Sequence, residues 1–82
     1  MDIVLKHPVK LATGTLLERI TLRRAKVRDL KQAQRSGDKP EDQELALLAL
    51  LCGLTPEDME ELDLADYHAI AVQFRGMLDV AG

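Results

Sequence analysis

The chain has 82 residues, of which 46% are apolar, and its only aromatic side chains are Tyr67 and Phe74. This length suits a single domain, residues 1–82, whose core buries roughly 60% of the surface of the unfolded chain. Leu, Ile, Val, Ala and Met must fill that core, which favours helix packing over a sheet sandwich and leaves no material for a second domain.

Charge is distributed unevenly along the chain, although the net charge is only -3. Residues 1–36 carry nine basic and three acidic side chains, whereas residues 37–82 carry two basic and eleven acidic ones. The two halves should therefore attract each other, either within the fold or between copies of the chain.

Cys52 is the only cysteine, so no intramolecular disulfide forms. It ends the uncharged run 45–52, which predicts a buried thiol in a reducing compartment. This run is the longest apolar one and falls far short of the roughly 20 residues that span a membrane. The first residues do not resemble a secretory signal. We therefore expect a soluble chain with no targeting segment.

Residues 1–23 have strand character and predict a β-hairpin. The two strand-forming segments are 3–11 and 17–22, on either side of Gly14. Glycine adopts a positive φ at low cost, as hairpin loops often require. Pro8 has no N–H to donate to a ladder, which predicts an edge position or a β-bulge around it.

A first helix is predicted at 26–36, with Val27, Leu30 and Ala33 facing inward. Four basic residues fall on another face at i, i+4, i+7 and i+11, and we call them the basic stripe: Arg24, Arg28, Lys31 and Arg35. The stripe is interpreted as a solvated face or as an electrostatic contact for an acidic surface. The acid-rich segment 57–66 is the obvious acidic surface, in the same chain or in a neighbouring copy.

Three more helices are predicted at 40–52, 56–62 and 64–79. Gly53 has the position of a left-handed C-terminal cap, with Leu54 folding back as the apolar contact of such a cap. The fold is therefore predicted to be α+β and mostly helical, with an N-terminal β-hairpin followed by three to four packed helices.

Side chains that cap helix N-termini precede each of these helices. Asp38 with Glu41 has the spacing of a capping box, and Thr55 and Asp63 are N-cap residues of the two helices that follow. These caps place the helix boundaries.

The last helix has two apolar surfaces. The broad stripe, expected to face the core, consists of Leu64, Tyr67, Ile70, Ala71, Phe74, Met77 and Leu78. The narrow strip consists of small residues, Ala65, Ala69, Val72 and Gly76. Alanine is the best helix former, so an ordinary helix surface explains the strip. Small residues at this spacing would also let another backbone approach closely.

No pattern in the sequence indicates catalysis. His7 and His68 have no carboxylate or cysteine at the spacing of a zinc site, and no phosphate-binding loop or nucleophile elbow is present. We predict no enzyme, no cofactor and no metal. The acidic whole chain and the lack of aromatic residues among the basic ones argue against nucleic-acid binding.

Five segments, in this order along the chain, carry a family resemblance: ERITLR at 18–23, VRDL at 27–30, QELALLA at 43–49, GLTPED at 53–58 and LDLADY at 62–67. With the preceding hairpin, they resemble the small tail assembly chaperones of tailed bacteriophages and prophages, of the E, 41 or 14 type. Members often have a Pro-Thr pair before the first helix, where this chain has Ala25 and Lys26. Without the threonine cap, this helix should fray at its start or find another acceptor.

The resemblance implies a non-catalytic assembly factor. Such chaperones bind the long helical tape measure protein, keep it soluble and help tail tube subunits to assemble around it. It further implies action in the host bacterial cytoplasm and absence from the mature virion. The split of charge along the chain adds an expectation of self-association.

A groove between the central and last helices is our hypothesis for the partner-binding site. Its residues are Leu47, Leu48, Leu51, Val72 and Met77, chosen because both helices have surplus apolar surface. Such a groove would accept an amphipathic helix. Two alternatives stay open: a small nucleic-acid-binding regulator that uses the basic stripe, and a structural subunit that is retained in the tail.

Overall fold

The computed structural model describes residues 1–79, with side chains up to Leu78. Its elements in chain order are β1 (Asp2–Lys10), β2 (Leu16–Thr21), α1 (Val27–Gln34), α2 (Pro40–Cys52), α3 (Pro56–Glu60) and α4 (Leu64–Asp79). The predicted α+β fold of a hairpin followed by packed helices is confirmed. Both α2 and α4 have the predicted bounds, whereas α1 and α3 are shorter than predicted. Residues 80–82 of the predicted domain lie outside the described residues.

Strands β1 and β2 pair in antiparallel fashion. Gly14 has φ of +91° in the connecting loop, so the turn needs the conformational freedom of glycine. The register shifts between Val4 and Val9, which confirms the irregularity predicted around Pro8. The side chains of Leu5 and Ile20 point from the hairpin into the core.

The residues after β2 join the hairpin to the helices. Leu22 donates its backbone N–H to the Met1 carbonyl at 2.7 Å, and its side chain is almost completely buried. Arg23 donates its N–H to the Leu51 carbonyl at 3.2 Å, near the C-terminal end of α2. The hairpin is thereby fixed to the central helix by backbone hydrogen bonds as well as by apolar contacts.

Helix α2 is the centre of the molecule. Strand β2 and helices α1, α3 and α4 all pack against it. Its buried residues, which occur on every side of the helix, are Ala46, Leu47, Leu48, Ala49 and Leu51. Leu48 has no exposed surface, and full burial of such a side chain contributes about 1.5–3 kcal/mol.

The C-terminal end of α2 has the predicted cap. Gly53 has φ of +70°, and the Leu54 N–H donates to the Ala49 carbonyl at 2.9 Å. The Gly53 N–H donates to the Leu50 carbonyl at 3.3 Å. These two bonds form a Schellman motif and reverse the chain towards α3.

The predicted capping box at the start of α2 is wrong. The N-cap residue is Lys39, not Asp38, and its side chain accepts no hydrogen bond. Pro40 follows at the first helical position, where its missing N–H costs nothing. The Gln43 side-chain amide instead donates to the Gly37 carbonyl at 2.9 Å, which fixes the turn between α1 and α2.

The predicted caps of the last two helices are confirmed. The Thr55 hydroxyl accepts the Asp58 N–H at 3.1 Å, and the Asp63 carboxylate accepts the Ala65 N–H at 2.9 Å. Each satisfies one backbone donor of a first turn, which explains why α3 and α4 begin where they do.

The inward faces predicted for α1 and α4 are right only in part. Ala33 on α1 and Ile70, Ala71 and Phe74 on α4 are buried as predicted. On α1, Val27 and Leu30 are exposed to 76% and 48%, and the buried residues are Asp29 and Ala33. Asp29 and Ala33 lie one turn apart and define the inward face of α1. The hydrogen bonds from Arg23 and Lys26 to the Asp29 carboxylate turn the helix about its axis, away from the predicted face. The core therefore receives less apolar surface from α1 than periodicity indicates.

On α4, Leu64 and Leu78 are exposed to 79% and 62%, although both were expected in the core. The buried face is centred on Asp66, Ile70 and Phe74, which lie at i, i+4 and i+8. The helix is turned towards Asp66 because that carboxylate has backbone partners in the hairpin. Within residues 1–79, no helix combines the length and apolarity that crossing a membrane requires.

Candidate functional site

The five residues predicted to form a binding groove do not share one surface. Leu47, Leu48 and Leu51 are buried in the core. Met77 is partly buried against the same core, whereas Val72 lies on the outer face of α4 with 48% of its surface exposed. A partner contact by these residues stays a prediction. The apolar surface that the fold leaves open lies beside them.

A groove runs between α2 and α4. It encloses about 560 Å³, and its lining residues are Glu44, Leu64, Ala65, Tyr67, His68, Ala71 and Arg75. Most of these side chains come from α4, at the spacing of residues on one side of a helix. One end is marked by Leu64, which is the most exposed large apolar residue of the described chain.

A second hollow of about 350 Å³ adjoins the first and extends it to α1. It is lined by Leu30, Ala33, Pro40, Gln43, Glu44, Leu47, Phe74 and Arg75. Glu44 and Arg75 line both hollows and form an ion pair with 3.2 Å between Oε1 and the guanidinium nitrogen. We call the combined feature the α1–α2–α4 groove.

The groove is mainly apolar and has little net charge. Leu30 and Leu64 are exposed at its two ends, and the charges of Glu44 and Arg75 cancel in the middle. Burial raises the pKa of the Tyr67 phenol, and the neighbouring Glu44 carboxylate adds to this effect. The phenol is therefore neutral at physiological pH.

The residues of the basic stripe are all exposed. The described residues form two ion pairs within 4 Å, Arg23 with Asp29 and Arg75 with Glu44, and neither includes the stripe. Within residues 1–78, no ion pair shorter than 4 Å joins the stripe to the acid-rich segment. Contact with another acidic surface stays a prediction.

The Asp29 carboxylate accepts hydrogen bonds at the start of α1. It accepts the Lys26 N–H at 2.8 Å and two hydrogen bonds of 2.8 Å from the Arg23 guanidinium. The hydrogen bonds from Arg23 and from the Lys26 backbone hold the pKa of Asp29 well below its usual range. Asp29 thus accepts the N–H of the N-cap residue itself, while no side chain that the structure describes accepts a first-turn N–H in place of the missing threonine.

Asp66 has a structural role that its place in the acid-rich segment does not predict. It is buried, and its two carboxylate oxygens accept the Lys6 and His7 N–H groups, each at 2.9 Å. Burial raises the pKa of this carboxyl, but the two hydrogen bonds outweigh that effect and the pKa lies below its ordinary value. The one feature of the sequence that indicates burial of Asp66 is its position one helical turn before Ile70.

The groups with reactive potential do not converge. In residues 1–79, no three His, Cys, Asp or Glu side chains are placed to hold a metal ion. Cys52 is partly buried, and burial raises its pKa to about 11, so the thiol is protonated and a poor nucleophile at neutral pH.

Comparison with known proteins identifies the family of this chain. No curated protein and no solved structure matches the chain significantly. The model of one family, described as phage tail assembly chaperone proteins, E, or 41 or 14, matches residues 2–79. The match extends from β1 to the end of α4 and confirms the resemblance carried by the sequence motifs. This chain therefore belongs to the family of phage tail assembly chaperones of the E, 41 or 14 type.

Proposed function

We propose that this chain is a non-catalytic assembly chaperone that binds the tape measure protein of a phage tail. The α1–α2–α4 groove would hold an amphipathic helix of that partner. The observation that carries the proposal is an open apolar groove with Leu64 79% exposed at one end, in a member of a tail assembly chaperone family. Exposed apolar surface of this kind commonly marks a protein-binding site.

The dimensions of the groove suit a short helical segment. From Leu64 to Arg75, α4 is roughly 16 Å long at a rise of about 1.5 Å per residue. This length matches about three helical turns of a ligand with apolar anchors at i, i+3 or i+4 and i+7. Covering those anchors would keep a long helical tape measure protein soluble until tail tube subunits assemble around it.

The Glu44–Arg75 ion pair crosses the middle of the groove and could adjust to a ligand. Both side chains are partly exposed, at 36% and 59%. Exposed pairs of this type contribute only about 0–1 kcal/mol. A bound helix could therefore separate the two charges at small cost and form polar contacts with either one.

Co-expression with tape measure fragments tests the groove. We expect Leu64→Asp and Leu30→Asp to keep the thermal transition of the parent, because both positions are exposed, and to lose the ability to keep the fragment soluble. Val27→Asp is the matched control, since Val27 is about as exposed as Leu64 but lines neither hollow.

Two results would contradict this assignment. A Leu64→Asp chain that still solubilises the fragment would exclude the groove. Loss of activity in Val72→Asp alone would favour the outer face of α4. Mass spectrometry of purified particles separates the chaperone from a structural subunit, because the chaperone should act in the host cytoplasm and be absent from finished tails.

A further inference from the structure

We propose that two copies of this chain associate through a second surface, a shallow valley between α1 and α3. Both helices pack against α2, and the valley between them encloses about 120 Å³. Its lining residues are Gln32, Ser36, Ala46, Ala49, Leu50, Leu54 and Pro56. The floor is apolar, with Leu50 and Leu54 partly exposed. No residue of this valley lines the α1–α2–α4 groove.

One border of the valley is basic. Arg28 and Gln32 lie one turn apart on α1, and Arg35, the C-cap residue in helical conformation, continues the same face, which lines the valley. Both arginines are exposed, and neither belongs to the ion pairs formed by the described residues. These two positive charges are available to a partner.

The other border is acidic. Pro56 lines the valley, and Glu60 lies one turn further along α3 on the same face, with Glu57 beside it. Both glutamates are exposed. Residues 40–74 contain no lysine or arginine, so the negative potential of this border is not offset by its sequence neighbours.

A surface with a basic and an acidic border is complementary to itself. In a dimer whose two-fold axis runs along the valley, the basic border of each copy faces the acidic border of the other. The same contact between borders then forms twice. The apolar floors then meet in the centre, with charges at the rim, which is the usual arrangement of protein interfaces. The complementary charges of the two borders therefore favour a second copy of the chain as the partner of this valley.

Salt should weaken this association, because the rim charges are exposed. The screening length falls from about 30 Å at 0.01 M salt to about 3 Å at 1 M. We expect the wild-type chain to sediment as a dimer at low salt and to shift towards monomer at high salt.

Charge reversal gives a sharper test. Arg28→Glu with Arg35→Glu makes both borders acidic, and Glu57→Lys with Glu60→Lys makes both basic. We expect each double variant alone to be monomeric by sedimentation velocity. An equimolar mixture of the two should form a heterodimer, since each acidic border then faces a basic one. Circular dichroism checks that both variants are folded.

The control is Lys10→Glu with Arg19→Glu, which changes the net charge by the same amount on the exposed hairpin. It should keep the wild-type association, and so should Leu64→Asp in the groove. The proposal is overturned by a wild-type chain that is monomeric at low salt, by a mixture that does not associate, or by a control that dissociates equally. A monomeric wild type whose basic border binds duplex DNA would assign that border to nucleic acid.

Discussion

The carboxylate of Asp66 accepts a hydrogen bond of 2.9 Å from the backbone N–H of Lys6, sixty positions earlier in the chain. Its other oxygen accepts the N–H of His7 at the same distance. Both donors lie where the β1–β2 register is interrupted, so β2 does not pair with them in regular fashion. A side chain of α4 thus completes the hydrogen bonding of a strand and fixes the hairpin against the helices.

Asp66→Ala should lower the free energy of unfolding by roughly 3 kcal/mol, because it leaves two backbone donors without an acceptor. Asp66→Asn should also destabilise, since its amide nitrogen cannot accept a hydrogen bond. Urea denaturation measures both effects. Asp63→Ala, which removes an exposed N-cap on the same helix, is the control and should cost about 1 kcal/mol. Equal losses at the two positions would contradict the special role of Asp66.

Acid should destabilise the chain through Asp66 and Asp29, whose pKa values are lower in the folded state than the ordinary 3.8. The unfolded chain therefore takes up these protons first as the pH falls. Their stabilisation is complete above about pH 4 and is lost as the pH falls through the native values. Urea midpoints between about pH 7 and pH 2 should fall more steeply for the wild type than for Asp66→Asn. Parallel curves would disprove this linkage.

Gly76→Ala should raise the free energy of unfolding by about 1 kcal/mol. Gly76 is exposed inside α4, and a Cβ atom at this position would meet nothing within 4 Å. Alanine then gains its full advantage in helix propensity. Gly53→Ala is the opposite case, because φ is +70° there, and it should destabilise by roughly 1 kcal/mol. Destabilisation by both alanines would contradict the open space around Gly76.

Lys26→Thr should stabilise α1 by about 1 kcal/mol, since Lys26 is an N-cap residue without a capping side chain. The threonine hydroxyl can accept a free N–H of the first turn while Asp29 keeps its bond to the backbone of residue 26. Thermal denaturation measures the gain, and Lys26→Ala is the control that should bring none. If both variants behave alike, the backbone at this position does not admit a cap.

Cys52 should react slowly with iodoacetamide in the native state. Burial raises its pKa from 9.0 to about 11, so at pH 8 the folded thiolate fraction is about 100-fold smaller than the unfolded one. Alkylation in native buffer should be slower than in urea by a similar factor, measured by mass spectrometry. Stability should also fall as the pH rises from 9 towards 11, and Cys52→Ala should remove this loss. Similar rates in both states would contradict a buried thiol.

Local chemistry allowed much of the fold to be predicted. The Gly53 cap and the Thr55 and Asp63 caps depend on residues a few positions away, and each formed as the sequence indicates. The order of elements follows from the same signals. The capping role predicted for Asp38 is wrong because Pro40 is the first residue of α2, so that Lys39 and not Asp38 is the N-cap residue.

The orientation of the helices could not be predicted in the same way, because it depends on long-range partners. Among the side chains that the structure describes, Asp29 and Asp66 are the buried acidic residues of α1 and α4. Each turns its helix inward to reach a donor on another segment. Hydrophobic periodicity assigns such residues to the surface. The same error hid the groove, since Leu30 and Leu64 are exposed by these rotations.

The bulge around Pro8 also bears on how the chain avoids aggregation. A two-stranded sheet has open edges that can pair with strands of other molecules. In β1, the backbone N–H groups of Lys6 and His7 already donate to Asp66, and Pro8 has no N–H. An incoming strand would therefore find a gap in the middle of this edge. A single carboxylate on α4 thus protects one strand of the chain from pairing with other molecules.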